Sequence, residues 1–241
     1  MAEAVIDPER LDAVLLDLDG VLTGTATLHA TAWKEAFDAF LRDPAERTGE
    51  PFRPFDADRE YRRHVDGLPR HDGVRGFLKA RGIEVPEGSE DEPGTVRGIA
   101  AAKNARFLDM LRSRGPELRP GAEAFLRRAR EAGLKIAVVT ASRNGAEVLE
   151  ASGLRPLSDA LVDGNVAAEC GLAGKPRPDT FLEAARRLDT APERAAVVED
   201  AVAGVRAGKE GGFGLVLGMG PEARRADLEE AGADAVVPDL S

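Results

Sequence analysis

Two carboxylates two residues apart, Asp17 and Asp19, close an apolar run and are followed at once by Gly20 and Val21. Ala13 to Leu16 has the short, uninterrupted apolar character of a buried strand. In an open α/β sheet, ligands gather outside the carboxyl ends of the strands, so these acids stand where chemistry is done. Side by side they repel each other unless a cation lies between them. The economical reading is a magnesium site in which one carboxylate can also act as nucleophile.

Two further apolar runs end in the same manner. Lys135 to Val139 stops at Thr140-Ala141-Ser142, and Ala195 to Val198 stops at Glu199-Asp200, with Gly174-Lys175-Pro176 between them. Hydroxyls can bind phosphate oxygens, a lysine can neutralise phosphate charge, and carboxylates can share a divalent ion. One such strand end is weak evidence. Three in chain order, with a lysine between the last two, point to phosphoryl chemistry.

The elements that must position these groups are legible in the second half of the chain. Ala122 to Ala132 reads as a helix stopping at Gly133, Gly145 to Ser152 as a second stopping at Gly153, and Pro178 to Leu188 as a third. A helix to Lys209, a strand Gly214 to Leu217, a helix from near Pro221 to Ala231 and a short strand Ala235 to Val237 follow. This alternation predicts an α/β fold: a doubly wound, Rossmann-like, mostly parallel sheet with helices on both faces. Between the first strand and this block lies a stretch far longer than a crossover needs. It reads helical over His29–Leu41, Ala57–Val65, Gly73–Ala80 and Thr95–Leu111, with Pro51, Pro54, Pro86 and Pro93 as breakers. The expected organisation is a discontinuous core, residues 1–27 and 112–241, with an inserted helical cap, residues 28–111. Trp33 falls on the apolar stripe of the first cap helix with Ala32, Ala36, Phe37 and Phe40, and is read as core.

Asp17-Leu18-Asp19-Gly20-Val21, Thr140, Lys175 and Glu199-Asp200 together resemble the four motifs of the haloacid dehalogenase superfamily of phosphotransferases. Closer agreement is with the β-phosphoglucomutase group. It rests on Asp17 to Thr23 continuing through Thr25 to His29 and Ala32-Trp33-Lys34, on Thr140-Ala141-Ser142-Arg143-Asn144-Gly145, on Gly174-Lys175-Pro176 with Pro178-Asp179, and on Val198-Glu199-Asp200-Ala201 with Ala203-Gly204. The resemblance implies that Asp17 is the nucleophile and Asp19 the general acid and base. It implies that Thr140 and Lys175 hold the transferring phosphoryl group, and that Asp17, Asp19, Glu199 and Asp200 hold Mg²⁺, Asp19 through its backbone carbonyl. It implies that His29, at the boundary of core and cap, hydrogen-bonds to Asp19 or the substrate, that Gly67 and Arg70 are the specificity glycine and arginine of a cap loop, with Arg70 on the second phosphate, and that Lys103, Ser142, Arg143 and Asn144 match sugar- and phosphate-contacting positions. Thr25 matches a hinge threonine associated with slow hydrolysis of the aspartyl phosphate. The group usually carries a lysine just before the cap-loop glycine, and this chain has Asp66 there.

The implied activity is the interconversion of β-glucose 1-phosphate and glucose 6-phosphate through the bisphosphate. A sugar-phosphate or small-phosphoester phosphatase uses the same motifs and differs in letting water attack the aspartyl phosphate. A non-catalytic sugar-phosphate sensor has no need for both acids, so Asp17 and Asp19 argue against it. In bulk, the 241 residues carry a formal charge of −10, which disfavours nucleic acid and anionic membranes as partners. Cys170 is the only cysteine, so no intramolecular disulfide can form. Met1 to Arg10 lacks the apolar core of a signal peptide, and no run is long enough to span a bilayer. The expectation is a cytoplasmic monomer acting on a small sugar phosphate.

Overall fold

The computed structural model describes residues 6–49, 51–65, 68 and 70–241. It divides into two compact units, Met1–Thr25 with Pro116–Ser241, and Ala26–Gly115. In chain order the strands are β1 (Ala13–Asp17), β2 (Lys135–Val139), β3 (Ala160–Val162), β4 (Ala195–Glu199), β5 (Leu215–Met219) and β6 (Ala235–Val237). The helices are α1 (Ala26–Thr48), α2 (Arg59–His64), α3 (Arg70–Ala80), α4 (Val96–Arg114), α5 (Ala122–Glu131), α6 (Gly145–Ala151), α7 (Gly164–Cys170), α8 (Asp179–Arg187), α9 (Val202–Glu210) and α10 (Arg225–Ala231).

The larger unit is built on one sheet in the order β3-β2-β1-β4-β5-β6, with every neighbouring pair parallel. Such a sheet is covered on both faces, so its central strands can be apolar at every position. Accordingly Ala13 to Leu16 of β1 and Ala195 to Val198 of β4 are fully buried. Helices supply the cover through one apolar stripe each: Phe125, Leu126 and Ala129 from α5, and Phe181, Ala184 and Ala185 from α8. Leu16 pairs with Val138 on one side and Val198 on the other. Asp17, Val139 and Glu199 therefore end their strands at one level, where the strand order reverses and an open parallel sheet leaves its crevice.

The sequence reading passed over β3 and α7. Three residues, Ala160-Leu161-Val162, are too short to show a period, and β3 is recognisable only because it pairs with Ala137, Val138 and Val139. Asp163 then caps α7, its carboxylate accepting from the backbone N–H of Asn165 and Val166.

The smaller unit is helical. Its core joins Trp33 and Phe37 of α1, Phe55, Val74, Phe77 and Leu78 with Val96, Ile99 and Ala100 of α4. Phe37, Phe55 and Phe77 meet with ring centroids 4.1–5.0 Å apart, each ring contributing about 1.5–3 kcal/mol through burial. Trp33 stacks on Phe37 at 5.0 Å, as a core residue should. Arg81 donates to Glu60 through two nitrogens in a little-exposed pair that ties α2 to the end of α3. No helix among the described residues is long and apolar enough to cross a membrane.

Candidate active site

At the C-terminal ends of β1 and β4 one ammonium serves two acids. Lys175 Nζ donates to Asp17 Oδ1 at 2.5 Å and to Glu199 Oε1. All three side chains are nearly inaccessible, at 12%, 10% and 1% exposure. Burial pushes the Asp17 carboxyl well above the ordinary aspartate range, and the Lys175 charge offsets this only in part because Glu199, Asp200 and Asp19 add repulsion. Lys175 is itself desolvated, yet its two acidic partners raise its pKa above the usual lysine value. The asymmetry follows from number: one cation is shared among several anions, so the lysine is over-compensated and Asp17 under-compensated.

Asp19 faces a different pair. Its Oδ1 accepts from the Thr25 hydroxyl and its Oδ2 from the Thr140 hydroxyl at 3.0 Å. A tight turn after β1 presents it: Gly20 N donates to Thr23 O at 2.7 Å, and the Thr23 hydroxyl donates to Leu18 O. Thr140, expected on phosphoryl oxygens, thus spends its proton on Asp19 while its oxygen accepts from Ser142 N at 3.0 Å. Both threonines are buried, so Asp19 is held by groups that cannot drift.

Two glycines make room for the acids at the end of β4, Glu199 and Asp200. Gly20 has φ +106°, and a Cβ there would come within 2.6 Å of Asp200 Cγ. A Cβ on Gly204 would lie 2.5 Å from Glu199 Cγ. Gly20→Ala is expected to destabilise the protein by about 1–3 kcal/mol, through the left-handed backbone and eviction of the Asp200 carboxylate. Its activity should fall even at temperatures where it remains folded. Thermal melts and initial rates check this; a variant with wild-type Tm and rate contradicts the packing.

Ser142, Arg143 and Asn144 follow β2 in one loop. Asn144 N donates to Ser142 Oγ at 3.2 Å, and Asn144 is buried while Arg143 is exposed. The loop is fastened by the segment the sequence reading missed. Gly164 N donates to Ser142 O at 3.0 Å, and Asn165 Nδ2 donates to Arg143 O at 2.7 Å. The run Asp163-Gly164-Asn165, with its capping acid, was the available signal. Arg224 was also missed: its guanidinium approaches Asp200 O at 3.4 Å, and its charge acts to lower the Asp200 pKa.

The remaining expected residues belong to the helical unit. His29 Nδ1 lies 2.7 Å from Lys103 Nζ, and its ring stacks on Phe107 at 4.2 Å. Burial, then the charges of Lys103 and Arg70, hold its pKa well below the usual histidine value, so the ring is neutral and accepts from the ammonium. Lys103 is buried and lies over the rings of Phe107 and Trp33 at 4.8 and 5.3 Å. Arg70 opens α3. Gly67 and Asp66 lie outside the described residues.

Among the described residues, no three His, Cys, Asp or Glu side chains converge as a ready metal-ligand group. Lys175 stands between Asp17 and Glu199, and the Asp19 carboxylate is turned to its threonines. The donor set nevertheless fits a hard divalent cation. Asp17 and Asp200 are oxygen donors whose ionisation is penalised, Asp200 being raised to about 7 by burial and then by the Glu199 charge. A cation beside them would relieve that penalty, and Gly20 keeps the space that Asp200 needs.

The model of the haloacid dehalogenase-like hydrolases matches residues 11–212. A protein of Mycobacterium bovis named beta-phosphoglucomutase is 48% identical over 240 residues, covering 97% of this chain and 92% of its own. A crystal structure of beta-phosphoglucomutase from Clostridium difficile superposes with a TM-score of 0.72 at 26% identity, over 95% of this chain and 92% of that one. A mutant of CbbY from Rhodobacter sphaeroides, crystallised in complex with xylulose-(1,5)bisphosphate, superposes with a TM-score of 0.73 at 29% identity, over 95% of both chains.

Proposed function

The chain belongs to the haloacid dehalogenase-like hydrolases, and from that premise we propose that it is a β-phosphoglucomutase. It interconverts β-glucose 1-phosphate and glucose 6-phosphate through the 1,6-bisphosphate, as a cytoplasmic monomer. The observation that carries this reading is the 48% identity, over nearly the whole of both chains, to a relative of that name. The arrangement of Asp17, Asp19 and Lys175 supports the chemistry.

In the forward half-reaction an Asp17 oxygen attacks phosphorus in line, and the bond from phosphorus to the leaving oxygen breaks. Asp19 in its protonated form gives its proton to that oxygen. In the return half-reaction Asp19 accepts the proton of the incoming sugar hydroxyl as it attacks the aspartyl phosphate, and the Asp17 carboxylate is restored. Thr25 and Thr140 hold Asp19 beside the reacting line without consuming either acid. Lys175, with two of its three N–H donors on carboxylates, has the third for a phosphoryl oxygen. Asp17, the Asp19 carbonyl, Glu199 and Asp200 would hold Mg²⁺, which when bound neutralises charge on the phosphoryl group. On this reading Ser142, Arg143, Asn144, His29, Gly67, Arg70 and Lys103 serve the sugar and its second phosphate.

The test is phosphorus NMR of β-glucose 1-phosphate with Mg²⁺ and catalytic glucose 1,6-bisphosphate. Appearance of glucose 6-phosphate supports the mutase. Accumulation of inorganic phosphate alone assigns the protein to the phosphatases that share its motifs.

Metal dependence has a definite pH signature. The folded Asp200 carboxyl titrates near 7, above its ordinary value of 3.8. The folded state therefore binds this proton more tightly than the unfolded state, and between these values the metal-free fold loses stability as pH rises. A cation must displace the same proton. The rise in Tm produced by Mg²⁺ over EDTA is expected to be larger at pH 7.5 than at pH 5.5, read by scanning fluorimetry. Equal increments at both pH values would remove Asp200 from the metal site.

A further inference from the structure

Lys175 is held from beneath as well as from the side. Its ammonium lies over the face of the Phe181 ring, 4.9 Å from the centroid. Phe181 is fully buried, two positions into α8, and meets Phe213 edge-on at 6.0 Å. That contact packs the ring within a core that includes Leu15, Val139 and Val197. The two carboxylates use two of the three N–H donors an ammonium has.

We propose that Phe181 is a positioning residue for the phosphoryl-transfer step, its π face fixing the Lys175 ammonium between Asp17 and Glu199 while a donor remains for a phosphoryl oxygen. The inference rests on the phosphotransferase reading of the site and adds a residue to it. An ammonium tethered only by carboxylates follows whichever carboxylate moves, and Asp17 is the one that forms a bond to phosphorus. A ring does not move with either acid. Its attraction for the cation survives the loss of one carboxylate bond, because the quadrupole acts on the whole ammonium rather than along one N–H. The nucleophile can leave the lysine without the lysine leaving the site.

A fluorination series at position 181, from Phe through mono-, di- and trifluoro-Phe, withdraws the negative face of the ring and changes its volume little. The expected result is a log-linear fall of kcat with fluorine number, roughly tenfold to thirtyfold over the series, with KM and Tm nearly constant. p-Nitrophenyl phosphate with Mg²⁺ serves as substrate. A ring that merely filled the core would give a flat series. A second readout needs no activity: the Lys175 Cε protons should show an upfield ring-current shift in the wild-type NMR spectrum. Phe181→Leu should abolish it. A flat series in an active enzyme, or no ring-current shift, overturns the proposal. An inactive wild type would instead remove the phosphotransferase reading, and the ring-current shift would still decide where the ammonium lies.

Discussion

Asp17→Asn is expected to lower turnover by about a thousandfold or more, the scale of losing a covalent nucleophile, while the protein folds as before. The amide keeps the shape of the side chain and an oxygen that can accept from Lys175, but it cannot attack phosphorus. The stability outcome is the sharper half of the result. Burial holds the Asp17 carboxyl well above its ordinary pKa, so ionised Asp17 works against the metal-free fold, and increasingly so as pH rises. Asparagine removes that penalty. In EDTA at pH 8 the variant should melt no lower than wild type, and Lys175 retains Glu199 as its partner. Steady-state rates on β-glucose 1-phosphate and melts in EDTA check both halves. Substantial turnover by the variant would sink the aspartyl-phosphate mechanism, and a large loss of Tm at pH 8 would show that the buried charge stabilises the fold.

Lys175→Met should be damaging on both counts. It removes the cation we propose for the phosphoryl oxygens, and it leaves Asp17 and Glu199 buried against each other without a counter-charge. Breaking such a pair from one side costs about 3–5 kcal/mol. The sign with pH follows from the groups that remain. The folded pKa of Lys175 is raised, so its contribution is complete below the unfolded lysine value and is lost only in strongly alkaline solution. Across pH 5–8 the wild-type lysine is therefore constant, and the variant's deficit is set by the orphaned acids. Burial already holds the Asp17 carboxyl well above its ordinary range, so without the lysine it escapes repulsion by taking up a proton more readily at pH 5 than at pH 8. The Tm difference between wild type and Lys175→Met, measured in EDTA, should widen from pH 5 to pH 8. A difference independent of pH would mean that the lysine contributes packing rather than charge.

Lys175 also covers Phe181, so its removal carries a pH-independent packing loss as well. The two effects separate in Lys175→Gln, which keeps much of the stem and restores no charge. If charge is the stabilising element, Gln and Met behave alike at pH 8.

The amino-acid sequence by itself determined the chemistry and most of the scaffold of this protein. Residues 13–16, 136–139 and 195–198 are continuous apolar runs followed by Asp17, Thr140 and Glu199, and a strand buried on both faces leaves its only polar positions at its ends. Reactive residue types at three such ends are a local signal, written within a few residues each time. The same holds for helices whose apolar stripe and glycine stop are local: α5 ends before Gly133, at φ +81°, as its sequence foretells.

Tertiary structure alone decided what depends on partners distant in the chain. β3 exists because Val162 finds Val139, and nothing in three residues announces it. Asp17 and Glu199, separated by most of the chain, became neighbours through the order β2-β1-β4, which no local pattern encodes. The two acids of the first motif look equivalent in sequence. Packing separated them, giving Asp17 to the buried ammonium of Lys175 and Asp19 to the hydroxyls of Thr25 and Thr140. That division sets which carboxyl is desolvated and charge-paired and which is held by neutral donors. It rests on burial and Coulomb energies, which are properties of the assembled surroundings and not of the residues themselves.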